Sequence, residues 1–185
     1  MDFTKVIKEV VGILEAGGIR YALIGGFAMA LRGVQRTTMD LDFILMLEDM
    51  DRTHAILTEF GYQRVFHSEN VSHYLSSGKG WGRIDILHAF RGPTLGMLSR
   101  AELLEVSDGI RLRVVHVEDL IGLKIQALVN NPDRTLRDWS DICLLLQAAR
   151  EERIVLDWEL LKDYLCLFHL EGRLPEMRGI YGALE

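Results

Sequence analysis

Two aspartates spaced by one residue, Asp40 and Asp42, interrupt a run that is otherwise apolar: Met39, Leu41, Phe43, Ile44 and Leu45. The run predicts a buried strand over Thr38 to Leu47, and strand alternation sends both carboxylates to one face with Cα atoms roughly 6.5–7 Å apart. Thr38, two residues earlier, falls on the same face. Such a pair can grip hard cations: magnesium takes oxygen ligands. Two metals about 3.5–4 Å apart stabilise the attacking and leaving oxygens of an in-line displacement at phosphorus. The plain alternative is an edge strand with its polar side in water.

The neighbouring sequence bears on that choice. Tyr21-Ala22-Leu23-Ile24 reads as a short apolar strand, Gly25-Gly26 as a turn, and Phe27 to Arg32 as a short helix closed by Gly33. Glycines at a strand-to-helix turn let a phosphate approach the backbone, and free N–H groups there can hold it. A tight connection alone would also use them. A third carboxylate, Asp85, interrupts a second apolar strand, Arg83-Ile84-Asp85-Ile86-Leu87. An isolated aspartate there is unfavourable unless exposed or bound to something. Three carboxylates on two strands beside a glycine turn describe a metal-dependent phosphate site. The competing reading is three unrelated surface aspartates.

Around these strands the periodicity alternates between helix and sheet. Val6, Ile7, Val10, Val11 and Leu14 follow helical spacing up to Gly17-Gly18, and Glu48 to Phe60 does so up to Gly61. Strands are expected over Tyr62–His67, Val71–Ser76 and Arg83–Phe90, the last two joined by the Gly-rich turn at 78–82. A helix is expected over Leu95–Leu104, and Asp108-Gly109 reads as a hairpin turn leading into Ile110–Val115. Beyond Glu118 the pattern is helical: Glu118–Asn130, Leu136–Arg150 and Asp157–His169, with Glu118 and Asp119 placed to complement the first helix's macrodipole. The expected fold is α/β (α+β), a mixed β-sheet flanked by helices over 1–116, followed by a helical bundle over 117–185, with no Pro-, Gly- or Ser-rich linker between them.

At 185 residues, 49% apolar and 26% charged, the chain is the size of about one domain and able to form a core. Its net charge of −6 confines any nucleic-acid contact to a local patch. Sixteen arginines outnumber five lysines, and Arg32, Arg36, Arg83, Arg91 and Arg137 could line such a patch, since the guanidinium fork suits phosphate. Cys143 and Cys166 form neither a disulfide framework nor a zinc pattern. The N-terminus mixes charges instead of showing a signal layout, and the longest apolar stretch, Tyr21 to Leu31, is too short for the about 20 residues of a membrane span. A cytoplasmic protein without membrane contact is expected.

Other candidates carry less. The six histidines show no close metal spacing and read as structural or exposed; Gly78-Lys79 lacks the glycine spacing and hydroxyl of a phosphate loop. Phe66, Tyr74 and Trp81 could stack a base, although aromatic residues in strands are more often core. Lys124, among Leu120, Ile121, Leu123 and Ile125, could equally snorkel to the surface. Asp138 and Asp141 share a helix face.

Gly25-Gly26, then Arg36-x-Thr38-x-Asp40-x-Asp42, then Asp85 resembles the nucleotidyltransferase superfamily typified by DNA polymerase beta, in its minimal bacterial form. Val117 to Lys124 and Arg137 to Ile142 are similar to later motifs of the AbiEii-type toxins, so the resemblance spans residues 20 to 146. It implies that Asp40 and Asp42 hold two Mg2+ ions. Asp85 would complete the catalytic one and help deprotonate the acceptor hydroxyl. Gly25, Gly26 and Thr38 would lie against the nucleotide, and Arg36, Lys124 and Asp138 would serve the triphosphate and the active centre. Arg137-Asp138 departs from the Lys-Asp of many relatives. The implied donor is a nucleoside triphosphate such as ATP, and the acceptor either RNA, such as a tRNA end, with an antitoxin partner, or a cationic aminoglycoside, which the net charge favours slightly. A nucleotide- or partner-binding protein that no longer catalyses is the reading from another class.

Overall fold

The structure is a computed structural model that describes residues 3–36, 38, 40–76, 78, 81–107 and 109–182. Its sheet has seven strands: β1 (Tyr21–Ile24), β2 (Asp40–Met46), β3 (Tyr62–His67), β4 (Val71–Ser76), β5 (Arg83–Ala89), β6 (Glu102–Ser107) and β7 (Ile110–Val114). They lie in the order β3-β4-β5-β2-β1-β7-β6. β2 runs antiparallel to β1 and parallel to β5, and β1 runs parallel to β7, so the sheet is mixed as expected. Helices α1 (Phe3–Ala16), α2 (Gly25–Leu31), α3 (Met50–Glu59) and α4 (Gly92–Arg100) interleave with the strands; α5 (Val117–Asn130), α6 (Thr135–Glu151), α7 (Trp158–Leu167) and α8 (Leu174–Gly182) follow them.

The chain divides into two compact units, residues 1–28 with 36–115, and residues 29–35 with 116–185. In the first, alternation along the strands separates two faces of the sheet. Leu41, Phe43, Tyr74, Ile84 and Ile86 are buried on one face. The other face of β2, β4 and β5 carries Asp40, Asp42, His73, Arg83 and Asp85, all only partly covered. In the second unit α5 packs on α6 and α7, and Ile121, Ile125, Ile142, Leu146 and Leu165 form its apolar centre.

Most expected elements occur within a residue or two of their expected ends. The helix expected over Leu95–Leu104 does not. It begins earlier, at Gly92, with Pro93 in its first turn, and stops at Arg100 because Ala101 turns extended (φ −51°, ψ 130°). Leu103 and Leu104 instead pair with Arg113 and Leu112 as part of β6. The strand expected over Thr38–Leu47 is β2, which ends at Met46, where Leu47 opens a 3-10 turn before α3. Of the expected turns, Asp108, Lys79 and Gly80 lie outside the described residues, as does Met39. No helix among the described residues is long and apolar enough to cross a membrane.

Candidate active site

Strand register lines up one row of residues across five of the seven strands. Ile24 of β1 faces Asp42 of β2, Asp42 faces Asp85 of β5, Asp85 faces His73 of β4, and His73 faces Phe66 of β3. Directly paired residues project to the same side of a sheet. Asp42, Asp85, His73 and Phe66 therefore share one face, and Asp40, paired with Arg83, sits one step along it.

Asp85 is the best-anchored member. His73 Nδ1 donates to its Oδ1 at 2.8 Å and Arg83 Nε donates to the same oxygen at 2.6 Å. Both bonds fall on Oδ1 and neither on Oδ2. The Arg83 guanidinium is held above its ordinary range, first by the bond to Asp85 and, against the cost of partial burial, by the fields of Asp85, Asp40 and Asp42. One positive charge is thus already drawn to the three carboxylates. Sequence reasoning missed His73 in this role, because the register that brings it beside Asp85 joins residues twelve apart on two strands, whereas alternation alone puts Arg83 on Asp85's face, two residues away.

The turn between β1 and α2 closes the row at its other end. Gly25 has φ +67°, and a Cβ there would overlap the Asp42 carboxylate, so this position accepts only glycine on both counts. A Cβ on Gly26 would come within 3.0 Å of the Thr38 side chain and 3.7 Å of Arg36 Nε. Thr38 Oγ1 donates to the Asp40 carbonyl at 3.1 Å. Gly25, Gly26, Arg36, Thr38, Asp40 and Asp42 are accordingly neighbours in one unit, with Asp85 beside them.

Lys124 and Asp138 belong to the other unit. Lys124 does not snorkel: its side chain is 13% exposed, and Nζ lies 3.1 Å from Asp138 Oδ1 and 2.6 Å from Asp141 Oδ2. Arg134 Nε adds a second cation 3.1 Å from Asp138 Oδ2. Glu118 and Asp119 do more than complement a dipole. Both are buried; Glu118 accepts from the Asp157 N–H at 2.7 Å and Asp119 from the Tyr164 hydroxyl at 2.6 Å, tying α5 to α7.

No three His, Cys, Asp or Glu side chains are gathered at metal-holding distance among the described residues. The chemistry of the donor set nevertheless fits a hard divalent cation: three carboxylates on one face, whose combined field already acts on a guanidinium. Of the three aromatic candidates, Tyr74 is fully buried and Trp81 packs edge-on against Phe60 and Tyr62. Phe66 is 50% exposed and stacks on His73, with centroids 5.2 Å apart and planes at 27°.

A mixed sheet carrying paired aspartates beside a glycine turn is the architecture of a nucleotidyltransferase. Residues 82–178, more than half of the chain, match the family described as "Nucleotidyl transferase AbiEii toxin, Type IV TA system". The chain belongs to that family, and with it to the enzymes that take a nucleoside triphosphate as donor. The matched segment contains Asp85, Lys124 and Asp138 and lies wholly after the Gly25 turn and β2. No curated protein matches the sequence. Among solved structures, the antibiotic-resistance factor ANT(2'')-Ia is similar over 100% of both chains at 16% identity, with a TM-score of 0.60. The lincosamide antibiotic adenylyltransferase LnuA is similar over 76% of this chain and 94% of its own, at 15% identity and a TM-score of 0.55. An antigenic nucleotidyltransferase-like protein from Paracoccidioides brasiliensis is similar over 98% of this chain and 93% of its own, at 16% identity and a TM-score of 0.62. These likenesses establish the fold.

Proposed function

We propose that the chain is a metal-dependent nucleotidyltransferase that moves a nucleoside monophosphate from a nucleoside triphosphate to a hydroxyl at the end of an RNA such as tRNA, and that it acts as the toxin of a toxin–antitoxin pair. The observation that carries the chemistry is the shared face of Asp40, Asp42 and Asp85 next to the Gly25 turn. Residues 1–116 are the catalytic core in this reading and 117–185 the helical region.

Gly25 and Gly26 leave backbone room for the phosphates, with Thr38 and Arg36 alongside. Asp40, Asp42 and Asp85 would hold magnesium, which when bound neutralises phosphate charge and polarises the phosphorus. The acceptor oxygen forms its bond to the α-phosphorus as the bond from that phosphorus to the bridging oxygen breaks, and pyrophosphate leaves. Asp85 Oδ2 takes the hydroxyl proton, while Arg83 and His73 fix the carboxylate through Oδ1. In this reading Lys124, held between Asp138 and Asp141, is the nucleotide-binding cation of the helical unit, with Asp138 beside it.

An RNA acceptor is favoured over a polycationic antibiotic by the strands beyond Asp85. Neither Tyr62–His67 nor Val71–Ser76 contains an aspartate or glutamate, and together they carry Arg64, His67 and His73. The test is incorporation of each labelled nucleoside triphosphate, with magnesium, in the presence and absence of total tRNA. Label in tRNA with the wild type, and none with Asp40→Ala at unchanged circular dichroism, is the expected result. Transfer retained by Asp40→Ala would refute the site. Pyrophosphate release that needs an aminoglycoside instead of tRNA would refute the acceptor.

A further inference from the structure

The β3 edge strand contains an irregularity that decides which residue reaches the carboxylate face. Arg64 pairs with Tyr74, but the next paired residue is Phe66, with His73, so Val65 is an extra residue in β3. Without it, strict pairing would set Val65 opposite His73 and turn Phe66 to the other side of the sheet, because a one-residue shift flips every side chain. A bulge of this kind re-aims a side chain, and bulges concentrate beside active sites. Here it puts an aromatic ring, half exposed on an edge strand, into the row that holds Asp42 and Asp85.

That ring is already one half of a stack. Its partner, His73, is bonded through Nδ1 to Asp85, which fixes the imidazole and, through it, the shelf that Phe66 completes. Phe66 stands two strand spacings from Asp85, roughly 10 Å, on the side of the row opposite the Gly25 turn. If the donor's phosphates lie at the Gly25 turn, the acceptor approaches from the β4–β3 side. β3 and β4 offer a polycation no carboxylate to pair with, and what they expose beside His73 is an aromatic face. It suits a nucleobase, whose stacking is tolerant of base identity.

We infer that Phe66, seated on His73, is the stacking platform for the terminal base of a single-stranded RNA acceptor, placing that nucleotide's ribose hydroxyl toward Asp85. This assignment rests on the reading of Asp85 as the acceptor side of the site, but its test does not require turnover. The probe is an oligoadenylate RNA hexamer with 2-aminopurine at its 3′ end, titrated with the full chain. Wild type and Phe66→Tyr are expected to quench the fluorophore. Phe66→Leu, and the exchange Val65→Phe with Phe66→Val, which keeps composition and moves the ring off the row, are expected to lose the quench and bind about tenfold more weakly. Equal quenching by wild type and Phe66→Leu, no binding by wild type, or the same quench with the fluorophore at the 5′ end would each overturn the platform. If label transfer to tRNA fails while the Phe66-dependent quench holds, the platform stands and the catalytic reading falls. If transfer proceeds and the KM for tRNA is unmoved by Phe66→Leu, the reverse is true.

Discussion

The Asp42 carboxylate occupies the volume in which any side chain at position 25 would have to begin. Gly25 thus serves twice, by adopting φ +67° and by leaving room for a carboxylate of the proposed site. Gly25→Ala should cost about 1–2 kcal/mol from backbone strain alone, and it must also push Asp42 out of its position. Nucleotide incorporation should fall to the level of Asp40→Ala while the far-ultraviolet circular dichroism stays native. Normal turnover by Gly25→Ala would show that Asp42 need not sit where it does.

Lys124 presents a separate test of electrostatics in the helical unit. It neutralises Asp138 and Asp141, which are almost wholly buried, with help from Arg134 on one side. Removing one partner of a buried pair leaves an uncompensated charge and costs roughly 3–5 kcal/mol. Lys124→Met should therefore lower the thermal midpoint by roughly 6–20 °C at constant pH. Restoring neutrality with Lys124→Met, Asp141→Asn should recover part of that loss. A surface lysine would give a change near zero in both variants.

The sequence makes the faces of β2 and β5 readable because strand period is local: Asp40, Asp42 and Asp85 each stand alone among apolar neighbours, and alternation assigns their side. What joins them is not local. His73 reaches Asp85, and Phe66 reaches His73, only through a register that includes one extra residue, Val65, and neither Val65 nor its neighbours carry a glycine or proline that would mark the bulge. β6 was hidden for a different reason. Leu95, Leu98 and Leu103 continue a spacing compatible with a helix, and the extended turn at Ala101 leaves no signal in the residue itself. The pairing of Lys124 with two carboxylates depends on how α5 lies against α6, which amphipathic spacing cannot specify.

Tyr164 and Gly122 show how tightly α5 and α7 meet. A Cβ on Gly122 would come within 2.8 Å of the Tyr164 ring, and the same tyrosine donates to buried Asp119 at 2.6 Å. Tyr164→Phe keeps the ring and deletes the donor, which should cost about 2 kcal/mol, the range for a hydrogen bond to a charged group. Gly122→Ala displaces the ring and should lose the bond as well, so the double variant should be less destabilised than the sum of the two. Urea midpoints of the four proteins measure this directly. Strict additivity would mean that the ring's position and its hydroxyl bond are independent.

Beneath the outer strands a short polar chain makes stability depend on pH. His88 is buried and its Nδ1–H donates to the Glu69 carbonyl at 2.8 Å, which leaves Nε2 as an acceptor for the Ser72 hydroxyl at 2.9 Å. Ser72 in turn accepts from His67 Nδ1 at 2.8 Å. Burial pushes the His88 pKa below its usual value, opposed by the Glu69 carbonyl and reinforced by the positive fields of His67 and Arg64. The folded protein then binds fewer protons than the unfolded chain once the pH falls to about 6.5, so ΔG of unfolding rises with pH in that window. The stability of the neutral network is fully present above about pH 7.5 and drains as the pH falls through the unfolded pKa toward the lower folded one. His54, whose pKa burial also lowers, adds a slope of the same sign. His88→Gln removes one titrating group, and the drop in urea midpoint between pH 7.5 and 5.5 should be smaller in this variant than in the wild type. Identical drops would place the pH dependence elsewhere in the molecule.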